Sequence, residues 1–233
     1  FYSASIGEVF GEPAYIEQEN IYRQINYDIA GFGSYPLSQV QRLEFTGGYR
    51  LLDFSWTVYT RAYSLYDNAL LVNEKSTLQT AKSLSFGYIS GAYVYDSSIF
   101  GATSPILGRS EVLQVSPSVG SVTYLTVLAN VRRYYIPVKP ITLAFRAMHY
   151  GRWGKSAEDS RMWPLYIGYW DMVRGYESFN YGNQEELNEF NSDRLYGSKM
   201  IIANAEIRFP LFRLLGIGKG YYGPFPIEAF GFY

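Results

Sequence analysis

Lys199-Met200-Ile201-Ile202-Ala203-Asn204-Ala205-Glu206-Ile207-Arg208-Phe209 decides the fold, because its side chains alternate with a period of two. Lys199, Ile201, Ala203, Ala205, Ile207 and Phe209 fall on one face, apolar after the first. Met200, Ile202, Asn204, Glu206 and Arg208 fall on the other, which turns polar from Asn204 onward. Successive side chains of a β-strand point to opposite faces, so the pattern predicts a strand with one apolar and one charge-bearing face. Residues 123–132 repeat it, with Thr123, Leu125, Val127, Ala129 and Val131 opposing Tyr124, Thr126, Leu128, Asn130 and Arg132. In 141–150, Ile141, Leu143, Phe145 and Ala147 oppose Thr142, Ala144, Arg146 and Tyr150.

Further along the chain, Leu43, Phe45 and Tyr49 share a face against Arg42, Glu44 and Arg50, and then the phase flips to Leu52, Phe54, Trp56 and Val58. A one-residue flip predicts a tight turn or a bulge near Gly47–Arg50. Additional strands are expected at about 3–10, 20–33, 82–96, 107–118 and 222–233, separated by turn signals at Gly101–Pro105, Ser116–Gly120, Pro137–Pro140 and Gly216–Pro226. The reading is all-β, with roughly ten antiparallel strands and no internal domain boundary. Between the strands ending near 153 and beginning near 198 lies a loop far longer than the usual two to five residues of a hairpin, and loops of that length are mostly functional.

Alternation alone does not say what the charged face meets. In a soluble β-sandwich the apolar faces pack together and charge meets water. In an outer-membrane barrel the apolar face meets lipid and charge lines the lumen. Strand length favours the barrel: 82–96 and 120–136 exceed the usual five or six residues and suit the roughly nine to eleven of a tilted membrane strand. Connections that alternate between short turns (Gly47–Arg50, Gly120, Pro137–Pro140) and longer loops point the same way. Composition agrees. Of 233 residues 18% are aromatic, led by 24 Tyr, and such rings favour membrane–water interfaces. A net charge of −1 offers no surface for nucleic acid. The absence of cysteine rules out disulfides and thiolate metal sites and is compatible with the periplasmic side of a cell. No run of eighteen apolar residues forms a transmembrane helix. The first residue is Phe1 and no leader follows, so the chain is expected to be a processed or excised piece.

Val173-Arg174-Gly175-Tyr176 within the long loop, followed by Asn204-Ala205-Glu206-Ile207-Arg208-Phe209-Pro210, resembles the BamA-like surface-antigen barrel family. In that family a loop carrying Val-Arg-Gly-Tyr folds back into the lumen and its arginine meets acidic side chains of the inner wall. The resemblance implies that Arg174 is the loop arginine and Glu206 its wall partner. Asn204, Arg208 and Arg146 would complete the polar network. Arg133-Tyr134-Tyr135 and Leu143-Ala144-Phe145-Arg146 resemble the strands that lead into the loop. Tyr35-Pro36-Leu37-Ser38 and Gln41-Arg42-Leu43-Glu44 resemble a subgroup whose barrel follows a β-propeller.

Family members like this one have about sixteen strands, so the chain would hold roughly strands five to fourteen of a transmembrane barrel truncated at both ends. It would lack the POTRA repeats and the terminal strands whose seam forms the lateral gate. Tyr233 as the true end of a small complete barrel is the alternative.

The implied function is non-enzymatic: insertion or translocation of polypeptides in the bacterial outer membrane, with no cofactor and no metal. Partners would be the lipid bilayer, unfolded outer-membrane or secreted polypeptides and periplasmic accessory proteins, with no nucleic acid. The alternative is a porin-like solute channel whose lumen charges set selectivity, and a third class is a soluble binding sandwich. Physics supports the loop reading independently, since a guanidinium pairs bidentately with a carboxylate and Gly175 lets the backbone approach. The plain alternative is that Arg174 lies on a surface loop while Glu206 pairs with Arg208 or Arg146. The only histidine, His149, shares the outward face with Phe145 and Ala147 and suits no catalytic set. Glu185, Glu186 and Glu189 lack calcium-loop spacing. Gly216-Ile217-Gly218-Lys219-Gly220 lacks the residues of a phosphate loop and reads as a turn.

Overall fold

The computed structural model describes residues 2–78, 81–169, 172–173 and 195–233, and among these the chain is all-β with a single four-residue helix. The strands are β1 (Tyr2–Val9), β2 (Glu12–Pro36), β3 (Gln41–Ser64), β4 (Leu70–Leu78), β5 (Leu84–Asp96), β6 (Ile99–Phe100), β7 (Pro105–Gly120), β8 (Tyr124–Val138), β9 (Ile141–Trp153), β10 (Leu165–Tyr166), β11 (Tyr196–Gly197), β12 (Lys199–Pro210) and β13 (Glu228–Phe232), with α1 at Leu211–Leu214. Eleven of them form one sheet in the order β1-β2-β3-β5-β7-β8-β9-β12-β13, with β4 on β3 and β6 on β7. Every pairing whose register is defined is antiparallel. The order is a path and not a ring among the described residues.

The chain forms two compact units, residues 1–29 with 49–86, and residues 30–48 with 87–233, so β2, β3 and β5 contribute to both. The first unit has a small core of Ala14, Leu52, Phe54, Ala62, Leu84 and Phe86. Tyr22 stacks on Phe54 with ring centroids 6.5 Å apart. The indole of Trp56 donates to Asn20, and Arg50 pairs with Asp28. Phe10 and Gly11, both at positive φ, turn the chain between β1 and β2.

The expected turn at Gly47–Arg50 does not form, because β3 runs unbroken from Gln41 to Ser64. Across the flip the environment changes along one strand. Phe45 and Tyr49 on one face are exposed, whereas Leu52 and Phe54 on the other enter the first unit's core. The proposed alternation of short turns with long loops also fails. The two-residue turn Lys139-Pro140 and the three-residue turn 121–123 close consecutive hairpins and so lie at opposite ends of the sheet, while residues 211–227 make a long connection at the Pro140 end. β4 carries no alternating signal, because its five central residues Asn73–Thr77 are all polar and most of it is exposed.

The second unit holds the strands that frame the long loop. Arg133 pairs with Phe145, Asn130 with Met148, Ala203 with Ala147 and Asn204 with Arg146, so the faces read from sequence line up across β8, β9 and β12. One face, here the apolar face, carries Leu113, Val127, Val131, Phe145, Ala147, Ile201 and Ile207. The other, the mixed face, carries Asn130, Arg132, Arg146, Met148, Ile202, Asn204, Glu206 and Arg208. His149 falls on the apolar face, opposite Ile201 and Ala129, as its phase predicts.

Candidate functional site on the mixed face

Met200, Ile202, Asn204, Glu206 and Arg208 share one face of β12 through the period of two, and register sets them against Tyr150, Met148, Arg146, Ala144 and Thr142 of β9. At the Pro140 end the face is ionic. Arg208 donates through Nε to Glu206 Oε2 at 2.8 Å, Nη2 of the same guanidinium lies 2.7 Å from that oxygen, and Nη1 donates to the Pro105 carbonyl at 3.2 Å. Both side chains are sheltered, 16% and 13% exposed. At the centre, Arg146 donates through Nε to Asn130 Oδ1 at 3.3 Å and stands directly opposite Arg132.

Toward the long loop the face turns apolar, with Met148, Met200 and Ile202 buried. Their cover is the loop itself: Leu165, Ile167, Met172 and Val173 pack against them. Full burial of a side chain such as Met148, Met200 or Ile202 contributes about 1.5–3 kcal/mol. A cavity of about 380 Å³ remains between loop and wall, lined by residues that include Met148, Met172, Met200, Leu128 and Tyr166. Two polar contacts fix the approach. Asn204 Nδ2 donates to the Met172 carbonyl at 3.1 Å, and Arg152 Nη2 donates to the Trp163 carbonyl at 2.9 Å.

The loop carries its own scaffold. Leu165 pairs with Gly197 and Tyr166 with Tyr196, a two-rung ladder whose tyrosine rings lie 4.8 Å apart. Burial raises the Tyr166 hydroxyl above its ordinary pKa. Nearer β9, Asp159 accepts from Arg161 through both carboxylate oxygens, at 2.9 and 2.7 Å. That guanidinium holds the Asp159 carboxyl down at about 2.

Of the residues singled out in the sequence, Val173 lies against the apolar wall patch, and Asn204, Glu206, Arg208 and Arg146 share the mixed face. Arg174, Gly175 and Tyr176 lie outside the described residues, as do Glu185, Glu186 and Glu189. Glu206 has Arg208 as a partner, the pairing the plain alternative offered. Sequence reasoning missed the methionine patch. Its signal was present, because Met200 and Ile202 make the first part of β12 apolar on both faces, as expected of a strand covered on both sides.

No family model and no curated protein matches this chain.

Proposed function

We propose that this chain is part of an outer-membrane β-barrel, similar to the BamA-like surface antigens, that inserts or translocates polypeptides without enzymatic chemistry. One observation carries the reading: the two faces of the second unit are inverted relative to a protein in water. The mainly apolar face is the open one, with Ile201 81%, Phe145 44% and Ile207 43% exposed, while the charged pair Glu206–Arg208 on the other face is sheltered. A sheet in water turns its apolar face to the core and its charges outward. A membrane barrel does the opposite. No helix among the described residues is long and apolar enough to cross a membrane, so crossing would fall to the strands.

The loop contact supports the mechanism. Asn204 holds Met172, and Val173 packs on the wall beside it, so the segment entering Val173-Arg174-Gly175-Tyr176 is already seated on the mixed face. From there the Arg174 guanidinium is proposed to join Glu206 and Arg208, stiffening this side of the barrel while the seam opens elsewhere. Arg132 directly opposite Arg146 favours a second reading, a channel whose wall selects anions.

Reconstitution in liposomes with an unfolded barrel substrate tests the proposal. Faster substrate folding that Arg174→Ala greatly weakens is the expected result. Ion conductance with no effect on folding would overturn it in favour of the channel.

A further inference from the structure

The apolar face of β7 and β8 carries a charged group among its aliphatic side chains. Arg109 of β7 stands directly opposite Arg133 of β8. Glu111, one step along the same face, lies 2.6 Å from Arg133 Nη1 and 3.6 Å from Arg109 Nη1. The Arg109 guanidinium also sits over the Tyr95 ring, 4.1 Å from its centroid. On the same face Tyr135, beyond Arg133, meets Phe145, which stands opposite Arg133, edge to face at 6.3 Å. Two arginines against one glutamate leave this group with an excess positive charge, and the arginines keep 44% and 33% of their side-chain surface open.

From this arrangement we infer a binding site for the phosphate of an anionic lipid headgroup, formed by Arg109 and Arg133 with Glu111 and Tyr95 as their supports. The inference rests on the apolar face being the lipid-facing one. Charge on that face is costly at mid-bilayer and close to neutral at the interface. Position fits the interface: Tyr95 adjoins the last residue of β5 and Arg109 lies four residues from the start of β7. At the far end of the same face, Lys199 sits over the Trp153 ring at 4.0 Å, a second cation–aromatic pair suited to the opposite interface.

Between Arg133 and Leu125 on β8 the outward residues Val131, Ala129 and Val127 are aliphatic. Those eight steps span about 21 Å of height at 3.4 Å per residue and a 40° tilt. Tyr95 and Glu111 fix the guanidinium groups in place, so they lose little freedom on binding. The aliphatic rows beside them, Leu113 and Val115 on β7 and Val131 on β8, give the acyl chains a surface to lie on. That second contact makes a lipid the better occupant than free phosphate, which the guanidinium pair alone would also attract.

The protein reconstituted in mixed phosphatidylcholine–phosphatidylglycerol vesicles and released for native mass spectrometry provides the test. Retained phosphatidylglycerol should exceed its share of the bilayer. It should fall about fivefold for Arg109→Gln or Arg133→Gln and about twenty-five-fold for the pair, taking one near-surface arginine at its usual strength. Glu111→Gln should move the other way, because it removes the internal counter-charge and leaves both arginines in place. Inorganic phosphate at the headgroup concentration should not displace the lipid. If it does, the site takes phosphate from any source and the lipid assignment falls. Insertion with no enrichment, or enrichment indifferent to all three substitutions, overturns the site and leaves the membrane reading standing. Failure of the unaltered protein to enter the bilayer overturns both.

Discussion

Replacing Ala203 by arginine separates a lipid-facing from a water-facing sheet by magnitude alone. Ala203 lies exposed on the apolar face, opposite Ala147 on β9 and so in the row that includes Val131 on β8. Four residues separate it from Lys199, about 10 Å of height at 3.4 Å per residue and a 40° tilt. That places it inside an apolar band about 25 Å tall, between Lys199 and the row of Arg133. An arginine there should cost about 2–4 kcal/mol in a bilayer, which is on the order of two decades in the folding equilibrium. The same change on a water-facing strand stays within about 0.5 kcal/mol.

Val119, on the same face but at the last turn of β7 and 66% exposed, is the control. Val119→Arg should cost about 0–1 kcal/mol in a bilayer, because its depth is interfacial. Reversible guanidinium titration in lipid vesicles, followed by the fluorescence of the four tryptophans, reads both values. Equal and negligible costs at Ala203 and Val119 would refute the inversion argument.

Three further outcomes follow from the mixed face and its loop. Arg208→Ala removes the charged hydrogen bonds of Arg208 to the sheltered Glu206 and should destabilise the folded chain by about 1.5–3 kcal/mol, measured in the same titration. Asn204→Leu removes the hydrogen bond to the Met172 carbonyl, worth about 1 kcal/mol, and should speed hydrogen exchange at the Met172 and Val173 amides, which donate to Tyr169. Asp159 is held below its ordinary carboxylate pKa by Arg161, so its contribution is fully present above about pH 4, the unfolded value, and is lost as pH falls toward 2. An NMR titration of the Asp159 carboxyl should show this midpoint, and Arg161→Gln should move it up toward the ordinary value.

The sequence carries the strands of the second unit plainly, because alternation at 199–209, 141–150 and 123–132 survives as register: Ala203 meets Ala147, and Ala147 meets Val131. It carries the loop bounds too, since β9 ends at Trp153 and β12 begins at Lys199. The turn expected at Gly47–Arg50 does not form: periodicity reports which side chains are apolar and not which are covered. Phe45 is apolar and open, while Phe54 is apolar and buried, on a strand that never turns. β4 escaped because a strand edged along β3 needs few apolar residues when its backbone bonds to Trp56–Tyr63 hold it. The Asn204–Met172 contact joins residues 32 apart in sequence through a folded loop, and local periodicity has no means of pairing them.

The chain has no cysteine, so single cysteines can be placed at every position from Lys199 to Phe209 without background. Spin-labelling each one in reconstituted bilayers and measuring collision with oxygen, which concentrates in lipid, against a water-soluble nickel chelate tests the inverted faces most directly. The expected pattern has a period of two: Ile201, Ala203, Ala205 and Ile207 oxygen-accessible, and Ile202, Asn204 and Glu206 shielded from it. Nickel access at Ile201, Ala203, Ala205 and Ile207 would overturn the inverted faces and return the sheet to water.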